Sequence, residues 1–119
     1  MTLDVDKMIR NWGEWEVLYS LGTTKVKKVT INVGCELSFQ RHLFRNELWY
    51  IHQGHGSVII NNENVPDPKN NESYLLKSRE YFLVPAGVWH QLANVGKEPL
   101  VIIELQYGDK CSEDDIERI

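Results

Sequence analysis

Cysteine is scarce in this chain: Cys35 and Cys111 are the only two, and they belong to no Cys-x-x-Cys pattern. That usage points to reduced thiols in a cytosolic setting, with both residues read as small buried or surface groups and a pairing between them left open. No apolar run approaches transmembrane length, so no helical membrane span is expected. Basic blocks interleaved with aromatics are missing too, and the net charge is -4. Nothing in the bulk electrostatics therefore favours nucleic acid or an anionic membrane. The first ten residues, MTLDVDKMIR, lack a basic segment followed by an apolar one. No signal peptide is expected from them, and a cytoplasmic location is. There is no internal repeat and no sign of a second domain. With 119 residues, 42% hydrophobic and 25% charged, the chain reads as one globular domain over 1–119, long enough for a single core.

What the sequence does have is turns. NWGE (11–14), LGTT (21–24), VG (33–34), QGHG (53–56), KSRE (77–80), PAG (85–87) and NVGKEP (94–99) recur at short intervals. Between the turns lie strand-length segments at 14–20, 25–33, 35–43, 47–52, 56–60, 73–76, 81–84, 89–93 and 100–107. Many short strands with regular turns predict an all-β sandwich or barrel. Helix is confined to the ends, as a turn in DVDKMIR (4–10) and a helix start in CSEDDIERI (111–119), where Ser112 takes the N-cap position ahead of acidic residues. The polar stretch 61–73 is the least ordered by expectation.

Strand phase singles out Lys27. In KVKKVTINV (25–33), Lys27, Val29, Ile31 and Val33 share the apolar face. An inward lysine at a barrel mouth suits either an anionic ligand or a snorkelling route to water. A second polar set interrupts an otherwise apolar hairpin. Gln40 and His42 are two apart on one strand, Glu47 follows on the next, and His90 comes just after the Pro85-Ala86-Gly87 turn. One amide oxygen, two imidazoles and one carboxylate form a donor set for a divalent first-row metal, with positions open for substrate. His52 and His55 fall outside this pattern, and His52 is opposite in phase to Glu47, so both read as surface. The aromatic residues read as barrel packing, with Trp49 or Trp89 available to line a sugar face.

The joint spacing resembles the cupin family. Gly34, five residues, Gln40-Arg41-His42, four residues, Glu47, six residues and Gly54 follow its first motif; Pro85-x-Gly87-x-x-His90-x-x-x-Asn94 follows its second, with Arg79 where a leading Gly is usual. Within the cupins, Gln40, His42, Arg45, Glu47 and Trp49 look like the Gln-x-His-x-x-Arg-x-Glu-x-Trp pattern of the C-terminal domain of type II phosphomannose isomerases. Arg10-Asn11-Trp12-Gly13, Lys27 and the run from Pro85 to Arg118 are similar as well. The sequence departs from that family at Asn11, Val33, Phe44, Leu48 and Gln91, and it carries no glycine-rich nucleotide loop of the guanylyltransferase domain that precedes such modules. The likeness covers about residues 9 to 118.

The resemblance implies a cupin jelly-roll barrel, with Gln40, His42, Glu47 and His90 as metal ligands. Zinc is the default ion, and manganese, iron, cobalt or nickel are alternatives. It implies an aldose–ketose isomerase interconverting mannose 6-phosphate and fructose 6-phosphate. The metal would hold the substrate oxygens in that reaction. Arg45 and Lys27 are then the first choices for the phosphate, with Arg10 and Arg118 behind them. Glu47 and Glu104 are the carboxylates available to move a proton, Glu104 resting on the family's Glu-x-Gln pattern. A differently specific or non-catalytic carbohydrate-binding cupin is the other reading. The sugar phosphate is the expected small-molecule partner. A homodimer is also expected, because residues 1–16, with Trp12 and Trp15, have little core of their own.

Overall fold

Side chains alternate between buried and exposed along the strands, and two sheets close their buried faces on each other. The computed structural model describes residues 6–119. Its strands are β1 (Lys7–Arg10), β2 (Gly13–Leu21), β3 (Thr24–Ile31), β4 (Gln40–Arg41), β5 (Arg45–Gln53), β6 (Gly56–Asn61), β7 (Glu72–Leu76), β8 (Tyr81–Val84), β9 (Trp89–Asn94), β10 (Leu100–Gly108) and β11 (Glu117–Arg118). One sheet has the order β1-β2-β3-β10-β5-β8 and the other β11-β4-β9-β6-β7. This is the all-β, double-sheet jelly-roll barrel expected from the sequence.

The interior changes character along the strands. In β5, Arg45, Glu47, Trp49 and Ile51 face inward while Tyr50 and His52 face out. Ile31, Ile51, Val58, Leu92, Leu100 and Ile102 are completely buried and form the apolar end. Each such side chain stabilises the fold by roughly 1.5–3 kcal/mol. Toward the other end of the same strands the inward positions are Lys27, Glu47, Glu104 and Gln106, all buried. The apolar half fixes the barrel; the polar half is left to hold something.

Several local expectations need correction. The segment 35–43 is not a continuous strand, and only Gln40 and Arg41 form a regular one. Its backbone is instead tied to β9 at single points, Leu37 N–H to Leu92 O and Asn94 N–H to Cys35 O. The N-terminal helical turn is absent from its described part: Lys7–Arg10 is a strand paired with β2, and residues 4 and 5 lie outside the described residues. The C-terminal helix start is a turn followed by β11, for a reason given below. The polar stretch 61–73 is held together by side chains. Asn61 Nδ2 donates to Asp67 O and Asn71 Oδ1, and Glu63 Oε1 accepts from Asp67 N–H and Asn70 Nδ2. Trp12 and Trp15 pack on the chain's own core, so they do not need a second protomer for burial. Both cysteines are free.

Two turns show why their residue types matter. Gly54 has φ +93°, and a Cβ there would meet Pro99 O at 2.9 Å. Only glycine fits. Arg79 stands where cupins place a glycine and adopts φ 76°, a left-handed conformation uncommon for a residue with a Cβ.

Candidate metal centre

Three strand ends bring the polar residues together. Gln40 of β4 lies directly opposite His90 of β9 in the antiparallel register. His42 follows two residues on, and Glu47 comes in from β5. The ligating atoms of His42, Glu47 and His90 all lie within 4.8 Å of one another, and each residue is buried. Gln40 lines the same cavity, which has a volume of about 430 Å³.

The donors are prepared by their neighbours. His42 donates its Nδ1–H to Asp115 O at 2.7 Å, and His90 donates its own to Val88 O at 2.9 Å. Both rings therefore turn an Nε2 lone pair toward Glu47, as ligating histidines do. Nε2 of His42 is 3.2 Å from Glu47 Oε2, and that of His90 is 3.9 Å from Oε1. Burial pushes the His42 imidazole below its ordinary value despite the pull of Glu47, so the ring is neutral at pH 7. Burial alone would raise Glu47; the charges of His42, His90 and Arg45 and the Trp49 bond outweigh it and hold the carboxyl at about 2. Two imidazoles with their Nδ1 atoms already engaged and a carboxylate suit a divalent first-row ion. The residues present fit the metal that the fold implies.

Arg45 is built into this cluster. Its Nε donates to Glu47 Oε2 at 3.0 Å, Nη2 lies 2.9 Å from the same oxygen as an ion pair and 3.3 Å from His42 Nε2, and Nη1 donates to Ser112 O. Burial disfavours its charge, but Glu47 and Glu104 overcome this, so its guanidinium pKa is raised. Lys27 is buried as its strand phase requires, yet it is not a free cation. Its Nζ pairs with Glu113 and sits over the Trp15 ring, 4.1 Å from the centroid. Arg10 and Arg118 line the cavity from exposed positions. Trp49 lines it too and donates to Glu47 Oε1 at 3.0 Å. Trp89 lies elsewhere, stacked on Phe39 with Arg41 against its ring.

Sequence reasoning missed Asp115 and Glu113. Asp115 accepts the backbone N–H groups of Leu43 and Phe44 at 2.8 and 2.9 Å while its carbonyl orients His42. The acidic run 113–115 thus serves the loop beside the ligands and does not start a helix. No local pattern announces bonds spanning more than 70 residues. Asp115→Ala is expected to lower stability by about 1–3 kcal/mol, since two backbone donors lose their acceptor. Urea unfolding of the metal-free chain measures this. An unchanged midpoint would show that the turn holds itself.

A double-sheet β-barrel with a His/His/Glu cluster at its polar end defines the chain as a cupin. It belongs to the family described as "Mannose-6-phosphate isomerase C-terminal", whose model matches residues 3–119. Among curated proteins it is 34% identical over 113 residues to the alginate biosynthesis protein AlgA of Pseudomonas aeruginosa, covering 95% of this chain and 22% of that one. It is 33% identical to a mannose-1-phosphate guanylyltransferase of Klebsiella pneumoniae, with the same coverage. The chain thus spans about a fifth of the length of these relatives. Among solved structures it resembles the capsular polysaccharide assembling protein CapF of Staphylococcus aureus, with a TM-score of 0.82 at 16% identity over 99% of this chain and 33% of that one. An oxalate decarboxylase of Lactobacillus farciminis gives 0.79 at 19% identity, over 95% of this chain and 33% of that one. These likenesses show the fold alone.

The expectation of an aldose–ketose isomerase is corrected by these relatives. They are named for guanylyl transfer and for alginate biosynthesis, and the isomerase of the family description is not their named activity. In the cavity Glu47 is committed to Arg45 and Trp49, and the Glu104 carboxyl is raised to about 8, because burial and Glu47 outweigh the pull of Lys27, Arg45 and Gln106.

Proposed function

We propose that this chain is a metal-dependent binding module for a phosphorylated sugar. The observation that carries this reading is the charge of the cluster. Glu47 is already neutralised by Arg45, and burial favours the neutral form of His42. A divalent ion held by His42, Glu47 and His90, with Gln40 beside them, would supply coordination to ligand oxygens. Such an ion leaves positive charge in excess inside a low-dielectric pocket, and buried charge of one sign is costly until matched. An anionic ligand matches it.

The chain's own residues shape that ligand's approach. Arg45 holds the carboxylate and keeps a guanidinium at the cluster. Lys27 is masked by Glu113, so an anion reaching it must displace that carboxylate. Arg10 and Arg118 sit at the exposed rim, where they steer anions more than they bind them. A mannose-1-phosphate guanylyltransferase among the relatives makes mannose phosphates the first ligands to test.

Calorimetric titration of zinc-loaded protein is expected to give mannose 1-phosphate or mannose 6-phosphate an affinity at least about tenfold above that of mannose, as charge-assisted contacts require. Chelation should abolish the difference. Equal affinities for sugar and sugar phosphate, or binding that survives chelation, would sink the proposal.

A further inference from the structure

Two buried residues of the cavity take no part in the cluster. β10 turns Glu104 and Gln106 inward, at 7% and 1% exposure. The register places Glu104 between Lys27 of β3 and Trp49 of β5, and sets Gln106 opposite Glu47. Gln106 Nε2 donates to Glu104 Oε1. Gln106 Oε1 is buried and has no hydrogen-bond partner among the described residues. Turning the carboxamide over does not remove the difficulty. It exchanges an orphaned acceptor for an orphaned donor.

A buried polar atom without a partner is destabilising, and folded proteins retain few of them. Here Gln106 lines the cavity, so the orphan lies next to the space a ligand would fill. The surroundings limit what that ligand group can be. Both nearby cations are occupied, Lys27 by Glu113 and Arg45 by Glu47, so an anionic group placed at Gln106 would face two carboxylates with little compensation. With one end of the Gln106 carboxamide tied to Glu104, the other needs a donor or, if the group is turned over, an acceptor. A hydroxyl group both donates and accepts, and so satisfies that end in either orientation.

We propose that Glu104 and Gln106 form a hydroxyl-reading subsite on the cavity floor, making Gln106 a specificity-determining residue for a polyhydroxylated ligand. The ligand's identity as a sugar phosphate rests on the binding reading above; the subsite itself rests on the geometry of β10. The phosphate engages the metal side, and a free sugar hydroxyl meets the Glu104–Gln106 pair.

The test couples a ligand hydroxyl to the protein side chain. Zinc-loaded wild type and Gln106→Leu are titrated calorimetrically with mannose 6-phosphate and with its 2-, 3- and 4-deoxy analogues. One deoxy analogue is expected to bind wild type about tenfold more weakly, the equivalent of one buried neutral hydrogen bond. Gln106→Leu should lose about the same factor for mannose 6-phosphate and nothing for that analogue. Glu104→Gln, which keeps the side chain's shape, should lose affinity in the same pattern if Gln106→Leu fails to fold. An equal loss across all four ligands makes Gln106 structural and overturns the proposal. If wild type binds no sugar phosphate at all, the binding reading fails, and the subsite is judged on its own with mannitol, an uncharged polyol. A saturable shift of the Gln106 side-chain amide resonance in a nitrogen–proton spectrum supports the subsite. An unmoved resonance overturns it.

Discussion

Zinc affinity is expected to fall on the order of a hundredfold or more in His90→Ala, with the β-rich circular dichroism retained. The ring is anchored at Nδ1 by Val88 O, so its Nε2 is fixed toward Glu47 before any ion arrives. Losing a preoriented ligand removes both a bond and the ordering already built into the fold, and even residues behind the ligands change affinity 10–100-fold in comparable sites, so about a hundredfold is a lower expectation. The ring also packs edge-on to Trp49, with centroids 5.7 Å apart, and lies 5.3 Å from the His42 ring. Some stability is therefore lost as well, about 2–3 kcal/mol by analogy with large-to-small core changes. Competition against a chelator of known affinity measures the first effect, and urea unfolding without metal measures the second. Unchanged zinc affinity would show that His90 is a packing residue and that the ligand set is wrong.

Glu104→Gln is expected to remove a pH dependence of stability that the parent chain carries. The carboxyl is raised from its ordinary 4.5 to about 8 in the folded chain. Between those values the folded state holds a proton that the unfolded state has released. Stability from this group is thus complete below 4.5 and is lost as pH rises through 8. Glu47 has the opposite sign, since it is held at about 2 and its contribution disappears only as pH falls through that value. His42, lowered from 6.5, destabilises on the acid side of that value. Between pH 7 and 9, Glu104 is therefore the residue that separates the two chains. Over that window the parent should lose on the order of 1 kcal/mol relative to the variant, the last part of a loss that begins near pH 4.5. Urea unfolding at pH 7, 8 and 9, in chelator, gives the comparison. Parallel curves for the two chains would mean that Glu104 is ionised in the folded state.

The metal-type cluster was legible because its chemistry is local in sequence. Gln40 and His42 sit two apart, Glu47 follows one turn later, and His90 follows a Pro-Ala-Gly turn whose geometry leaves little freedom. Lys27 was legible from strand phase alone. What escaped was whatever depends on distant pairing. Ser112 and the acidic residues after it have the composition of a helix start, yet Asp115 spends its carboxylate on Leu43 and Phe44, and Glu113 spends its own on Lys27. The polar stretch 61–73 looked loose because Asn and Glu favour loops, and it is ordered because those same side chains bond one another. Gln106 was visible only as every second residue of a buried strand; its orphaned oxygen needed coordinates. The reaction was the least legible feature. A ligand motif specifies where an ion sits and not what is done there, and the isomerase expectation rested on the resemblance alone.

The hydrogen bond from His42 to Asp115 has a consequence for biosynthesis. Residues 40 to 90 leave the ribosome before residue 115 exists in folded form, at a synthesis rate of about 5–20 residues per second. During that interval the His42 ring has no carbonyl to select its tautomer, and the 43–44 turn has no carboxylate to close it. The fixing of the His42 ring and the closing of the 43–44 turn are therefore one event, reached when the 112–115 segment docks on the barrel.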